Sequence, residues 1–146
     1  MLKVVLLLIS TVVVLGSVCK VQEYDVSFLY NNHTELYEMH GLWPEQCCNQ
    51  LGWPEFCQNV TFDTSVLAPI IDQLHKIWFP SNNRDQQMHL IKHEYIKHGS
   101  CTPYSEFDYF NNTLCLYQNL DTSTCRGREC LFSFTNNTIC NLTYSC

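Results

Sequence analysis

The clearest alternation in the chain lies over residues 23–30. Tyr24, Val26, Phe28 and Tyr30 fall on one side, and Asp25, Ser27 and Leu29 on the other. A period of two is the mark of a half-buried strand. Asn31, Asn32, His33 and Thr34 make a polar turn, and residues 35–40 return as a second strand that ends at His40. Further on, Leu67, Ile70, Ile71, Leu74, Ile77 and Trp78 recur at helical intervals. They predict one helix over residues 65–79, with Pro69 near its start and Pro80 after its end. Residues 81–85 are a loop. A second helix follows through residues 92–98, for which Gly99 is a natural terminator. Ser105 suits the cap of a third, whose core positions would be Phe107, Phe110, Leu114 and Tyr117. Residues 131–135 and 139–144 read as two strands of a hairpin around Asn136, Asn137 and Thr138. The elements together give an α+β domain, an antiparallel sheet packed with helices.

The first residues do not belong to that pattern. Met1, Leu2 and Lys3 precede an apolar run over residues 4–15, broken only by Ser10 and Thr11. Small residues follow up to Cys19. This is the layout of a secretory signal peptide. The run is too short for a membrane span, which needs about 20 apolar residues. Residues 1–19 are therefore assigned to the signal and residues 20–146 to a single domain, since no repeat, linker or low-complexity tract interrupts them. Sequons at Asn32, Asn59, Asn111, Asn136 and Asn141 and the ten cysteines fit an oxidising, glycosylating compartment. The expected location is extracellular, or the lumen of a lysosome or vacuole, with no membrane association after signal removal. If Cys19 leaves with the signal, an odd cysteine remains, so the product is a monomer or a disulfide-linked dimer.

Charge sharpens the functional question. A formal net charge of −6 argues against general nucleic-acid affinity, which needs a basic surface. The six histidines alter this, because their full protonation would cancel the deficit. An anionic substrate should thus bind better in mild acid.

The histidines are also where the chemistry concentrates. Lys92, His93, Glu94, Lys97 and His98 lie within seven residues. On a helix turning about 100° per residue, Lys97, Glu94 and His98 fall within roughly 140° of His93. All four groups then share a face, while Tyr95 and Ile96 anchor the other side. A solvated charged face is the plain alternative for this segment. A zinc site is disfavoured: the metalloprotease pattern needs its second His at i+4. Here that place holds the ammonium of Lys97, and His98 comes at i+5. Upstream, His40 stands beside Gly41, which permits close backbone approach, and Trp43, a flat aromatic face. Taken singly, each is more often structural. Together with the downstream cluster they make a site of imidazoles and a stacking surface.

The segments His40-Gly41-Leu42-Trp43-Pro44 and Lys92-His93-Glu94-Tyr95-Ile96-Lys97-His98-Gly99-Ser100-Cys101 resemble, in order and spacing, the two active-site segments of the ribonuclease T2 family of acid ribonucleases. The resemblance is sharp over residues 39–57 and 91–101. It implies an endoribonuclease that cleaves single-stranded RNA through a 2′,3′-cyclic phosphate, with no metal or other cofactor, with loose base specificity and with DNA inert. His98 would be the general base and His40 the general acid. Lys97 and Glu94 would stabilise the charged phosphate and orient the imidazoles, and His93 would bind phosphate. Trp43 would stack on the base, with Glu45 beside it where many members carry Asp. The resemblance also implies a disulfide between Cys57 and Cys101. The stretch after His98 is short for the family, so an abbreviated C-terminal part is expected. Ile91 stands where Trp is common. The competing expectation is a secreted, disulfide-rich binding protein or toxin that kept the fold and lost catalysis.

Overall fold

The structure, a computed structural model, describes residues 23–45 and 54–135. The signal segment, Cys19, Asn136, Asn141 and the second strand of the expected C-terminal hairpin lie outside the described residues. Among the described residues three antiparallel strands form one sheet in the order β2-β1-β3, with β1 at Glu23–Asn31, β2 at Leu36–Pro44 and β3 at Glu129–Thr135. Tyr24, Val26 and Phe28 are fully buried, as their alternation requires. Opposite them Met39 and Leu42 bury the inward face of β2. β3 pairs with β1, through partners such as Ser27–Leu131 and Leu29–Glu129.

Three helices cover the sheet: α1 at Ile71–Ile77, α2 at Arg84–Lys97 and α3 at Glu106–Asn119. The helix expected over residues 65–79 is two pieces. A 3-10 turn at Thr64–Leu67 comes first, capped by Asp63, whose side chain accepts from Ser65 N. Pro69 then follows, and it has no N–H with which to continue the ladder. Asn83 caps α2 by accepting from Gln86 N at 3.2 Å. Ser105 caps α3 by accepting from Asp108 N at 3.1 Å, as the sequence predicts. The core of α3 is broader than its predicted stripe, because Tyr109 and Leu116 are fully buried along with Phe110. Tyr109 donates its hydroxyl to the carbonyl of Leu42 at 2.8 Å, tying α3 to β2.

Two polar side chains on α2 are buried with its apolar anchors Ile91 and Tyr95: Gln87 and Glu94. Gln87 fastens α1 to α2. It donates to the carbonyls of His75 (3.1 Å) and Trp78, and its oxygen meets His75 Nδ1 at 2.5 Å. That contact makes His75 a structural residue. A disulfide joins Cys57 to Cys101 with Cα atoms 4.9 Å apart, and another joins Cys125 to Cys130. The acceptor asparagines Asn32, Asn59 and Asn111 are all exposed.

Candidate active site

β2 does not end at His40. It runs on to Pro44, and His40 sits at an irregularity where Ser27 pairs with Gly41 while the next residue, Phe28, pairs with Met39. His40 is the extra residue of a β-bulge. Bulges re-aim a side chain without ending the strand. Here the bulge turns an imidazole from within the edge strand β2 toward α2. Gly41 beside it is required sterically: a Cβ there would collide with the Glu94 carboxylate and lie 2.5 Å from Trp43 Nε1.

α2 supplies the facing wall. Glu94 is buried at its C-terminal end, and His98 is the residue that caps it, still in helical conformation. Gly99 has no left-handed φ and does not end the helix in the manner expected. A Cβ there would instead run into the ring of Tyr95, so the glycine serves close packing. The predicted common face of α2 is graded in depth. His93 is exposed, Lys97 is partly covered, and Glu94 and His98 are buried.

Glu94 is the meeting point. His40 Nε2 lies 3.6 Å from its Oε1, and His98 Nε2 lies 3.9 Å from its Oε2. Trp43 donates its indole N–H to Oε2 at 2.7 Å. The indole ring also packs beside both imidazoles, with centroids 5.1 Å from His40 and 5.3 Å from His98. The two histidines therefore face one gap from opposite elements. Lys97 pairs with Glu55 at 3.0 Å. Phe56, exposed and with φ 50°, edges the ring of His93 at 6.5 Å. Its N–H is bonded to Lys97 O at 2.8 Å, and the adjoining Cys57–Cys101 bridge fixes this rim. Glu45 follows β2, with its N–H bonded to Glu23 O at 2.9 Å. Among the described residues no group of three His, Cys, Asp or Glu side chains is arranged to hold a metal ion.

Burial sets the protonation of these groups. Burial pushes the Glu94 carboxyl up to about 7, against weaker pulls downward from Trp43 and Lys97. Burial draws His98 down to about 3, helped by the positive charges of Lys97, His93 and His40. A carboxyl that is itself protonated in acid cannot hold a proton on its neighbour, which explains why Glu94 does not rescue His98. His40 is lowered less, because Glu129 opposes the burial.

Sequence reasoning missed Glu129, Ser27 and Glu55. Ser27 Oγ donates to Glu129 Oε1 at 2.7 Å and lies 3.3 Å from His40 Nδ1. A small polar residue inside an apolar strand was the one available signal for Ser27. Nothing near Glu129 or Glu55 in the chain marks either.

The fold has counterparts among solved structures and the chain has relatives among known proteins. Ribonuclease MC1 from bitter gourd seeds superposes with a TM-score of 0.58 at 18% identity, covering 85% of this chain and 74% of that one. A Caenorhabditis elegans protein, ribonuclease T2 protein rnst-2, is 26% identical over 125 residues, which are 80% of this chain and 44% of that protein. A ribonuclease-like storage protein of Panax ginseng is 27% identical over 100 residues, 66% of this chain and 39% of the relative. The chain thus spans less than half the length of the curated relatives it matches here. The model of the Ribonuclease T2 family matches residues 6–128, a stretch that contains His40, Trp43, His93, Glu94, Lys97 and His98 and ends one residue before Glu129, and the chain belongs to that family.

Proposed function

We propose that this chain is an endoribonuclease that cleaves single-stranded RNA by metal-independent transesterification through a 2′,3′-cyclic phosphate. One observation carries the reading: His40 and His98 approach Glu94 from two different elements, at 3.6 and 3.9 Å. Cleavage of RNA needs a base for the ribose 2′-hydroxyl, an acid for the leaving 5′-oxygen and positive charge for the phosphate between them. Two imidazoles with different proton affinities suit the first two tasks. His98 stays neutral down to about pH 3 and serves as the base. His40, nearer a carboxylate, keeps its proton to higher pH and serves as the acid. His93 and Lys97 supply positive charge to the phosphate, with Lys97 exchanging Glu55 for it. Glu94 spans the gap between the two rings. Trp43 and Glu45 border the base, and stacking tolerates any base, so specificity is low.

The pH dependence follows from the same groups. Activity requires His98 without a proton and His40 with one. The first condition holds above about pH 3, and the second below a His40 pKa that burial keeps under 6.5. The optimum is acidic. DNA lacks the attacking hydroxyl and is inert. Export behind the signal segment to the cell exterior or a lysosomal or vacuolar lumen, with glycans on Asn32, Asn59, Asn111, Asn136 and Asn141, belongs to the same proposal.

The similarity to a ribonuclease-like storage protein favours one second reading, a catalytically silent protein on this fold. Incubation of the glycosylated chain with RNA at about pH 5 in EDTA separates the two. Cleavage to cyclic phosphate ends is expected, with loss of at least about a hundredfold in His40→Ala and in His98→Ala. Intact RNA, or full activity in either folded variant, overturns the ribonuclease reading.

A further inference from the structure

The geometry points to Glu129, acting through Ser27, as the positioning residue for His40. The three groups come from three strands. Glu129 Oε1 accepts from Ser27 Oγ at 2.7 Å, Ser27 Oγ lies 3.3 Å from His40 Nδ1, and Glu129 Oε1 lies 3.7 Å from the same nitrogen. Ser27 has one hydroxyl proton, and it is donated in the hydrogen bond to Glu129 Oε1. The Ser27 oxygen is therefore left to accept, and among the described residues the donor that fits at 3.3 Å is Nδ1–H. The chain of bonds runs from Nδ1–H to Oγ and from Oγ–H to the carboxylate. This fixes the neutral ring as the Nδ1–H tautomer and leaves Nε2 as the nitrogen that gains and loses the proton, facing Glu94. When the leaving 5′-oxygen takes the Nε2 proton, Nδ1–H stays where it is, and no proton passes to Glu129.

The other charged groups facing His40 make this carboxylate matter. From α2 it meets Glu94, neutral over the acid range, and the positive charges of His93 and Lys97. His98 packs against the same Trp43 ring. Each cation disfavours a positive charge on the His40 ring, and burial does so more strongly. Glu129 is the carboxylate that opposes them, and Cys130, bridged to Cys125, holds the start of β3 in place beside it. The bulge at His40 and the pairing of β3 with β1 together bring the three residues into line.

The inference deepens the ribonuclease reading, but its first readout does not depend on cleavage. Histidine ring NMR titration of the full chain follows His40 in the wild type, Glu129→Gln, Glu129→Asp and Ser27→Ala. Glu129 is 44% exposed, so its variants should fold. In Glu129→Gln the His40 midpoint is expected to fall by about 0.5 pH unit. In Ser27→Ala the neutral ring should lose its Nδ1–H preference. Glu129→Asp, which keeps the charge, should stay closer to the wild type. In cleavage assays the alkaline limb of kcat/KM should move to lower pH in Glu129→Gln by the same amount. An unmoved midpoint with an unchanged tautomer overturns the inference, as does a lowered kcat with an unshifted pH profile. Wild-type protein that leaves RNA intact would sink the ribonuclease reading alone, since the titration still decides the role of Glu129.

Discussion

The smallest side chain in the site carries one of its tightest constraints. Gly41 lets the Glu94 carboxyl and the Trp43 indole nitrogen pass over the backbone of β2, where any Cβ would intrude. A displacement of about 1 Å in a catalytic group can cost on the order of a hundredfold in rate. Gly41→Ala is therefore expected to lower kcat by roughly that factor while the sheet survives, because the push falls on side-chain ends and not on the ladder. Single-turnover cleavage and a thermal melt test this together. A variant with wild-type kcat would mean that Glu94 can retreat without consequence. At this scale the sequence was informative about identity. His40, Trp43, Glu94 and His98 were all legible from two short segments. Glu129 was not, because its only relation to His40 is through strand pairing across about ninety residues of chain.

Elements decide how those residues meet. The bulge in β2 aims His40, and the last turn of α2 brings Glu94 and His98 to it. The Cys57–Cys101 bridge holds the end of α2 against the segment that carries Glu55 and Phe56. Closing a loop of 44 residues restricts the unfolded chain by about 4 kcal/mol in the chain-entropy view. The bridge also holds Lys97 near its partner. Replacing both cysteines by serine should lower the melting temperature by at least about 10 °C and raise KM for RNA. Calorimetry and steady-state kinetics measure the two effects. An unchanged melt would show that the bridge adds nothing beyond the packing already present. The helical period announced α3 and Ser105 announced its cap, while α2 begins at Arg84, inside the loop expected over residues 81–85. The bulge was invisible, since an extra residue in a strand has no local signature when both flanks remain apolar. The break before α1 could have been weighed from Pro69, whose missing N–H is a helix stop as much as a helix start.

The whole molecule carries the cost of the site as a pH-dependent stability. Glu94 has a folded pKa of about 7 against an ordinary 4.5. Below about pH 4.5 it is neutral in both states and costs nothing. Between 4.5 and 7 the unfolded chain releases this proton first, so stability falls as pH rises. His98 runs the other way, with a folded pKa of about 3 against 6.5. It is neutral in both states above 6.5, and stability is lost as pH falls from there toward 3. The pair leaves the fold most comfortable in mild acid. Glu94→Gln removes the first slope and is expected to stabilise the protein above pH 7, by up to roughly 3 kcal/mol, while matching the wild type near pH 4 and losing activity. Melting temperature against pH checks this. A difference between variant and wild type that stays flat across the range contradicts the buried-acid account.

What the sequence determined by itself was local: the alternation of β1, the helical stripes, the caps and the two segments that hold the imidazoles and carboxylate of the site. These depend on neighbours within a few positions, where periodicity and side-chain chemistry act directly. The tertiary structure alone decided that β3 adds beside β1, that Ser27 and Glu129 stand behind His40, and that Glu94 is buried deeply enough to hold its proton near neutrality. Each of these is set by which distant surfaces exclude water together, and that is a property of the packed molecule rather than of any stretch of its chain.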